Sequence, residues 1–131
     1  MKVLIIDNNR KNQDAAHRLF ETIGLEHAIV DNTIGAMKTL LNDQNHDIGL
    51  VLMGCELPKN DGVKATKQIR RGYAGPCHKH TPIIALTHEN DAEEKFVCLE
   101  AGVNGFVDSP LNIDQAGPSI SHLLSKTNVS H

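Results

Sequence analysis

The chain reads as an α/β protein built on a doubly wound parallel sheet, with five strands alternating with five helices, a (βα)5 arrangement. Three observations predict it. Short runs rich in Val, Ile and Leu, among them Val3-Leu4-Ile5-Ile6, Leu50-Val51-Leu52-Met53 and Ile83-Ile84-Ala85-Leu86, stop at polar or turn residues, as strands buried on both faces do. Between them lie segments with apolar residues at helical spacing. The connections are short, so consecutive strands join through right-handed crossovers that place helices on both faces.

The first strand runs from Lys2 to Ile6 and empties into Asp7-Asn8-Asn9. A helix follows, with Ala15, Ala16, Leu19, Phe20 and Ile23 on one stripe and Gly24 as its stop. The segment Glu26 to Val30 is more polar, as an edge strand would be. Asp31, Asn32 or Thr33 caps a second helix that turns Ala36, Met37, Leu40 and Leu41 inward. The central strand starts at Ile48, and a third helix continues from Gly62 through Val63, Thr66, Ile69 and Arg70 to about Gly72.

Tyr73 to Thr81 has no period and reads as a surface loop. Pro82 to Leu86 is the fourth strand, with Pro at a position that needs no ladder donor. Asp91 to Ala101 is a helix stopped by Gly102, Asn104 to Val107 a short fifth strand, and Asn112 to Ser125 a last helix. Gly117-Pro118 interrupts that last pattern, because Pro lacks a donor and disfavours helical geometry before it. The expectation is a helix that restarts with Pro118 in its first turn, or else a kink.

At 131 residues the chain is one domain, taken as residues 1–126 with a C-terminal tail at 127–131. A net charge of -3 and 3% aromatic residues supply neither a basic field nor stacking platforms, so nucleic acid is not an expected partner. No apolar run approaches the roughly 20 residues of a membrane span. Three cysteines without paired spacing point to a reducing, cytoplasmic setting.

Ligand chemistry in open parallel sheets gathers at the carboxyl ends of the strands. Those ends place Asp7, Asn8, Gly54, Thr87 and Ser109 around one mouth. The stretch Ile48 to Gly62 dominates it, since a buried strand there opens through Gly54 into a loop holding Pro58 and Asn60-Asp61-Gly62.

In these motifs the chain resembles the receiver domain of two-component response regulators, from Lys2 to about Leu124. The resemblance rests on Val3-Leu4-Ile5-Ile6-Asp7-Asn8-Asn9, Leu57-Pro58-x-x-Asp61-Gly62, Pro82-Ile83-Ile84-Ala85-Leu86-Thr87, Ala101-Gly102-Val103-Asn104-Gly105-Phe106 and Pro110. Gln68-Ile69-Arg70-Arg71-Gly72 and the loop behind it look most like receivers of hybrid sensor kinases. The resemblance implies the flavodoxin-like receiver fold, with strand order 2-1-3-4-5. It further implies signalling by phosphoryl transfer onto an aspartate at the end of the third strand. Such chemistry needs that carboxylate, an acidic pair for Mg²⁺, a hydroxyl and a Lys.

This sequence keeps little of that set. Asp7 matches the first acid, but Asn8 replaces the second; Gly54 falls on the nucleophile, and Ser109 on the Lys. Thr87 matches the hydroxyl. The expectation is a pseudo-receiver: a regulatory interaction module with no covalent step, no cofactor and no Mg²⁺, and not an enzyme. It would dock on a histidine kinase, a response regulator or an adjacent domain through its fourth helix, fifth strand and fifth helix. Phe106 stands at the family's switch aromatic, expected here in a fixed rotamer. Asp7, Asn8 and Glu56 form a remnant acidic pocket in which Asp7 is the one weak metal candidate.

Rival readings attach to particular residues. Glu56 or Asp61 would serve as the acceptor in a working receiver. Cys77-His78-Lys79-His80 carries soft ligands but lacks a second separated pair for structural zinc, so loop polarity accounts for it. Cys55 lies beside the pocket without a neighbouring cation in sequence to activate it. A flavin carrier on the same architecture is disfavoured because no Gly-rich loop follows the first strand.

Overall fold

The computed structural model describes residues 1–54, 61–88, 90–109 and 111–128; Cys55, Glu56 and Pro110 lie outside the described residues, as does the side chain of Asp61. Strands β1 (Lys2–Ile6), β2 (Glu26–Val30), β3 (Ile48–Gly54), β4 (Ile83–His88) and β5 (Gly105–Ser109) alternate with helices α1 (Arg10–Thr22), α2 (Thr33–Leu41), α3 (Asp61–Arg70), α4 (Ala92–Ala101) and α5 (Ile113–Asn128). All pairings are parallel and the order is β2-β1-β3-β4-β5. The expected architecture and strand order are therefore found, with β2 at an edge.

Alternation along the strands divides the core in two. Val3, Ile5, Leu50, Leu52, Ile84 and Leu86 face one side with Leu19 and Phe20 of α1 and Ala116 and Ile120 of α5. Leu4, Ile6, Val51, Met53, Ile83 and Ala85 face the other with Ala36 and Leu40 of α2, Ile69 of α3 and Cys98 of α4. The central strands are apolar through residues 3–6, 50–53 and 83–86 because both faces are covered there.

Local chemistry sets the helix ends. Asn9 caps α1 by accepting from Asn12 N, Asn32 caps α2 by accepting from Gly35 N, and Asp91 caps α4 by accepting from Glu94 N. Gly102 ends α4 at φ 115°, a left-handed conformation that a side chain would strain.

Several sequence expectations are corrected. Ile23 and Leu41 are 41% and 55% exposed, since each stands at the end of its helix, past the last turn covered by the sheet. β4 begins at Ile83, while the Pro82 carbonyl accepts from Val51 N. β4 and β5 both run further than the apolar pattern does, because the ladder continues through Thr87 with Asp108 and His88 with Ser109. The last helix does not restart at Pro118. Asn112 begins it by accepting from Asp114 N and Gln115 N, and Ala116 N donates to the Asn112 carbonyl. Pro118 is exposed, and the donor it lacks would have met the carbonyl of exposed Asp114, which water can satisfy.

The segment 73–81 is also more than a polar surface loop. Pro76–His78 form a 3₁₀ turn, and His78 is buried. Its Nε2 donates to Asp43 Oδ2 at 3.0 Å and its Nδ1 pairs with Thr81 Oγ1 at 2.8 Å, so both ring nitrogens are engaged within the protein. Asp43 in turn accepts from the amides of Asp47 and Ile48. Arg70 closes the same region from α3, donating to the carbonyls of Gly102, Lys79 and Thr81 and to Asn104 Oδ1. Asn104 Oδ1 also accepts from Ile83 N, so one guanidinium ties α3, the 3₁₀ turn and the α4–β5 connection to the start of β4.

Burial disfavours the charge on Asp43, but the Ile48 and Asp47 amides and His78 outweigh it and hold the carboxyl below its usual range. A carboxyl depressed on folding stabilises the native state above its unfolded pKa of about 3.9, and that contribution fades as pH falls through the lower folded value. Asp43→Asn is therefore expected to lower the melting temperature at pH 7. The gap from wild type should narrow below about pH 4, read by thermal denaturation across a pH series.

Candidate functional site

The mouth at the carboxyl ends of β1, β3 and β4 is built around Asp7, which is 3% exposed although it is charged in sequence terms. Its backbone is locked by donation from Asp7 N to the Val30 carbonyl on the edge strand. Its side chain is held by amides: Oδ1 accepts from Asn9 N at 2.8 Å and Oδ2 from Asn12 Nδ2 at 3.1 Å. Gln13 Nε2 adds a bond to the Asp7 carbonyl. Asn12 is buried on the inward face of α1, so the first turn of the helix serves as the carboxylate's cradle.

Gly54 closes the mouth from β3. An ideal Cβ on Gly54 would stand 2.5 Å from Asp7 Oδ2 and 2.7 Å from Asp7 Cγ, closer than real contacts allow. The Asp7 carboxyl thus lies in the space that a side chain at position 54 would need. Gly62 makes a second close approach, since a Cβ there would lie 2.8 Å from the Gly54 carbonyl and 3.1 Å from Met53 Sδ. The glycine of the Asp61-Gly62 motif therefore lets α3 pack onto the end of β3.

The remaining predicted positions are arranged unevenly. Thr87 is fully buried at the end of β4, and its Oγ1 meets no hydrogen-bond partner among the described residues. Ser109 is half-buried beside His88 in the β4–β5 ladder. Asn8 is exposed, whereas Asp7 before it is not. Phe106 is half-buried against the cluster that α2, α3 and α4 cover. Glu56 lies outside the described residues.

Three features escaped the sequence reading. The Asp7–Asn12 bond joins residues five apart across a loop and a helix start, where no spacing rule applies. His88, Asp91 and Glu94 converge at the start of α4, with Glu94 Oε1 accepting from His88 N and Asp91 Oδ1 from Glu94 N. The S/T/D-x-x-E capping pattern in Asp91 to Glu94 was the available signal for part of this arrangement. On α4, Phe96, Val97 and Leu99 are 62%, 39% and 54% exposed, a run of apolar residues turned to solvent.

The family model described as "Response regulator receiver domain" matches residues 3–117. The chain belongs to the response regulator receiver domain family. This receiver is similar to a segment of the osmosensing histidine protein kinase SLN1 of Saccharomyces cerevisiae, 31% identical over 117 residues, which covers 85% of this chain and 9% of the kinase. It is likewise 32% identical over 111 residues to the sensor protein GacS of Pseudomonas syringae pv. syringae, covering 85% of this chain and 12% of that protein. The receiver thus spans about a tenth of the length of these relatives. Because such segments lie within much longer kinases, it is related to the receivers of hybrid histidine kinases. Among solved structures, the receiver domain of the sensor histidine kinase PA1611 of Pseudomonas aeruginosa, which has a magnesium ion coordinated in its active-site cleft, superposes with a TM-score of 0.79 at 26% identity. The match covers 95% of this chain and 97% of that one. Among the described residues, no helix of this receiver is long and apolar enough to cross a membrane.

If Asp7 fills the place of a side chain at position 54, then Gly54→Ala should destabilise the receiver by about 1–3 kcal/mol, as overpacking of a closed site does. In the Asp7→Ala background the same substitution should cost clearly less. Urea denaturation of the double-mutant cycle measures that coupling.

Proposed function

We propose that this receiver domain is a pseudo-receiver: it keeps the scaffold of phosphoryl signalling and acts by binding a partner, without accepting a phosphoryl group at the end of β3. The observation that carries this reading is the pairing of Gly54 with Asp7. Position 54 has no carboxylate to form an acyl phosphate, and the Asp7 carboxyl crowds the place its Cβ would take. Adding the missing group would require Asp7 to leave bonds with Asn9 N and Asn12 Nδ2.

The described donor set also fits Mg²⁺ poorly. A hard dication of this kind is held by carboxylates and keeps several waters, whereas Asp7 is the single acid among the matched positions and its oxygens are already engaged by amides. Asn8 and Ser109 supply neither the second negative charge nor the Lys cation. Removing two acids and one base from one pocket is self-consistent. Carboxylates crowded without metal or phosphate repel one another and lose stability.

The surface proposed for contact is formed by α4, β5 and α5. On it, Phe96, Val97 and Leu99 supply exposed apolar area beside Glu93 and Glu100, with half-buried Phe106 behind them in β5. Exposed apolar residues in a group fit a docking face better than a solvated one. The partner proposed is a histidine kinase, a response regulator or a neighbouring domain, with binding by occlusion or stoichiometric contact in a cytoplasmic setting.

One observation favours a second reading. The buried Thr87 hydroxyl without a described partner is the kind of group that a phosphoryl oxygen would satisfy, with Glu56 or Asp61 then serving as acceptor.

Incubation with acetyl phosphate and Mg²⁺, followed by intact-mass measurement, decides between them. The pseudo-receiver is expected to show no phosphoryl adduct. An adduct that disappears in Glu56→Gln or Asp61→Asn would establish the second reading instead. For the docking face, Phe96→Glu with Leu99→Lys is expected to leave the melting temperature within about 1–2 °C. It should also reduce capture of the cognate kinase or regulator at least about tenfold, as loss of an apolar anchor does.

A further inference from the structure

Away from the mouth, α1 and the edge strand β2 bring two imidazoles together: His17 Nδ1 lies 2.7 Å from His27 Nε2, with the rings edge to face at a centroid distance of 4.9 Å. The outer nitrogen of each ring faces an acceptor. His27 Nδ1 lies 3.2 Å from the Leu25 carbonyl, which can only accept, so that nitrogen carries its proton. His17 Nε2 lies 3.3 Å from Glu21 Oε1, one helical turn on, and a carboxylate likewise draws the proton to that side. In the neutral rings the two inner nitrogens, His17 Nδ1 and His27 Nε2, are then both lone pairs, and they point at each other. Two lone pairs at 2.7 Å repel unless a positive centre lies between them.

We propose that His17 and His27 form a binding site for a borderline divalent transition cation of the Zn²⁺ type, which joins α1 to the outer strand of the sheet. The arrangement is that of metal-bound histidines, whose second nitrogen donates to a carboxylate or a backbone carbonyl that fixes the tautomer. Imidazole nitrogens select Zn²⁺, Cu²⁺ or Ni²⁺ over Mg²⁺, so the site is chemically separate from any oxygen site at Asp7. Two Zn–N bonds of about 2.0–2.1 Å at a tetrahedral angle put the nitrogens roughly 3.3 Å apart. Starting from 2.7 Å, the two nitrogens need to part by about 0.6 Å. The His17 side chain is 52% exposed and that of Glu21 64%, which leaves room for this movement and for water in the remaining coordination positions. Phe20, fully buried with its ring 6.0 Å from that of His27, backs the site from the core.

Calorimetric titration of the purified chain with ZnCl₂, in the Cys77→Ser background and with excess MgCl₂ present, tests the assignment. Cys77 is an exposed competing thiol. One Zn²⁺ per chain is expected, lost in His17→Ala and in His27→Ala. Affinity should fall about tenfold in Glu21→Gln, as for loss of an outer-shell partner, and should be unchanged in His88→Ala. Zn²⁺ is also expected to raise the melting temperature of the chain but not of the His27→Ala variant, so a folded variant is confirmed in the same measurement. Zinc binding that survives both His17→Ala and His27→Ala, or that vanishes in His88→Ala, overturns it. So does the absence of binding up to millimolar zinc, which would leave a shared proton as what holds the rings.

Discussion

A single close approach organises the mouth of this receiver: the carboxylate of Asp7 rests over the α-carbon of Gly54, where β1 and β3 finish side by side. It is possible only because position 54 lacks a Cβ and because the first turn of α1 supplies amide donors to a charge that would otherwise be buried without partners. Burial of a carboxylate without such donors would cost several kcal/mol or force it to take up a proton. Asn9 and Asn12 therefore matter as much to the site as Asp7 does, Asn9 by capping the helix and binding Asp7 through its amide, Asn12 by reaching back from inside it.

The same economy of partners appears on the opposite flank. Among the described residues Arg70 meets no carboxylate; its guanidinium donates to three backbone carbonyls and the Asn104 amide oxygen. His78, by contrast, is paired with Asp43, and together they anchor the connection between α3 and β4 to the connection between α2 and β3. Charged hydrogen bonds to fixed backbone groups are among the stronger ones available. They hold connections that have little apolar area of their own, and so keep β4 and the base of α4 in place.

A phosphoryl switch needs a pocket that exists in two arrangements of similar free energy. Here the Asp7 carboxylate already accepts from amides, while α4 carries exposed apolar residues. A contact-based regulator requires only the second feature. The buried Thr87 hydroxyl, which meets no partner among the described residues, is not used by such an arrangement.

Most of the fold was legible in the chain itself. Buried parallel strands have to be apolar on both faces, and Asn9, Asn32, Asp91 and Gly102 are residue types that begin or end helices for local reasons. The missing carboxyl at Gly54 was also plain, because it is a matter of composition at one position. Where sequence reasoning fell short, the deciding contacts join residues with no periodic relation. Pro118 stays within α5 because Asn112 caps that helix and the orphaned carbonyl faces solvent, and His78 is buried because Asp43, 35 residues away, meets it. The sequence alone determined the alternation of elements and the lack of a side chain at position 54; only the tertiary structure decided what lies against that position, because packing β1 against β3 is what brings Asp7 over Gly54.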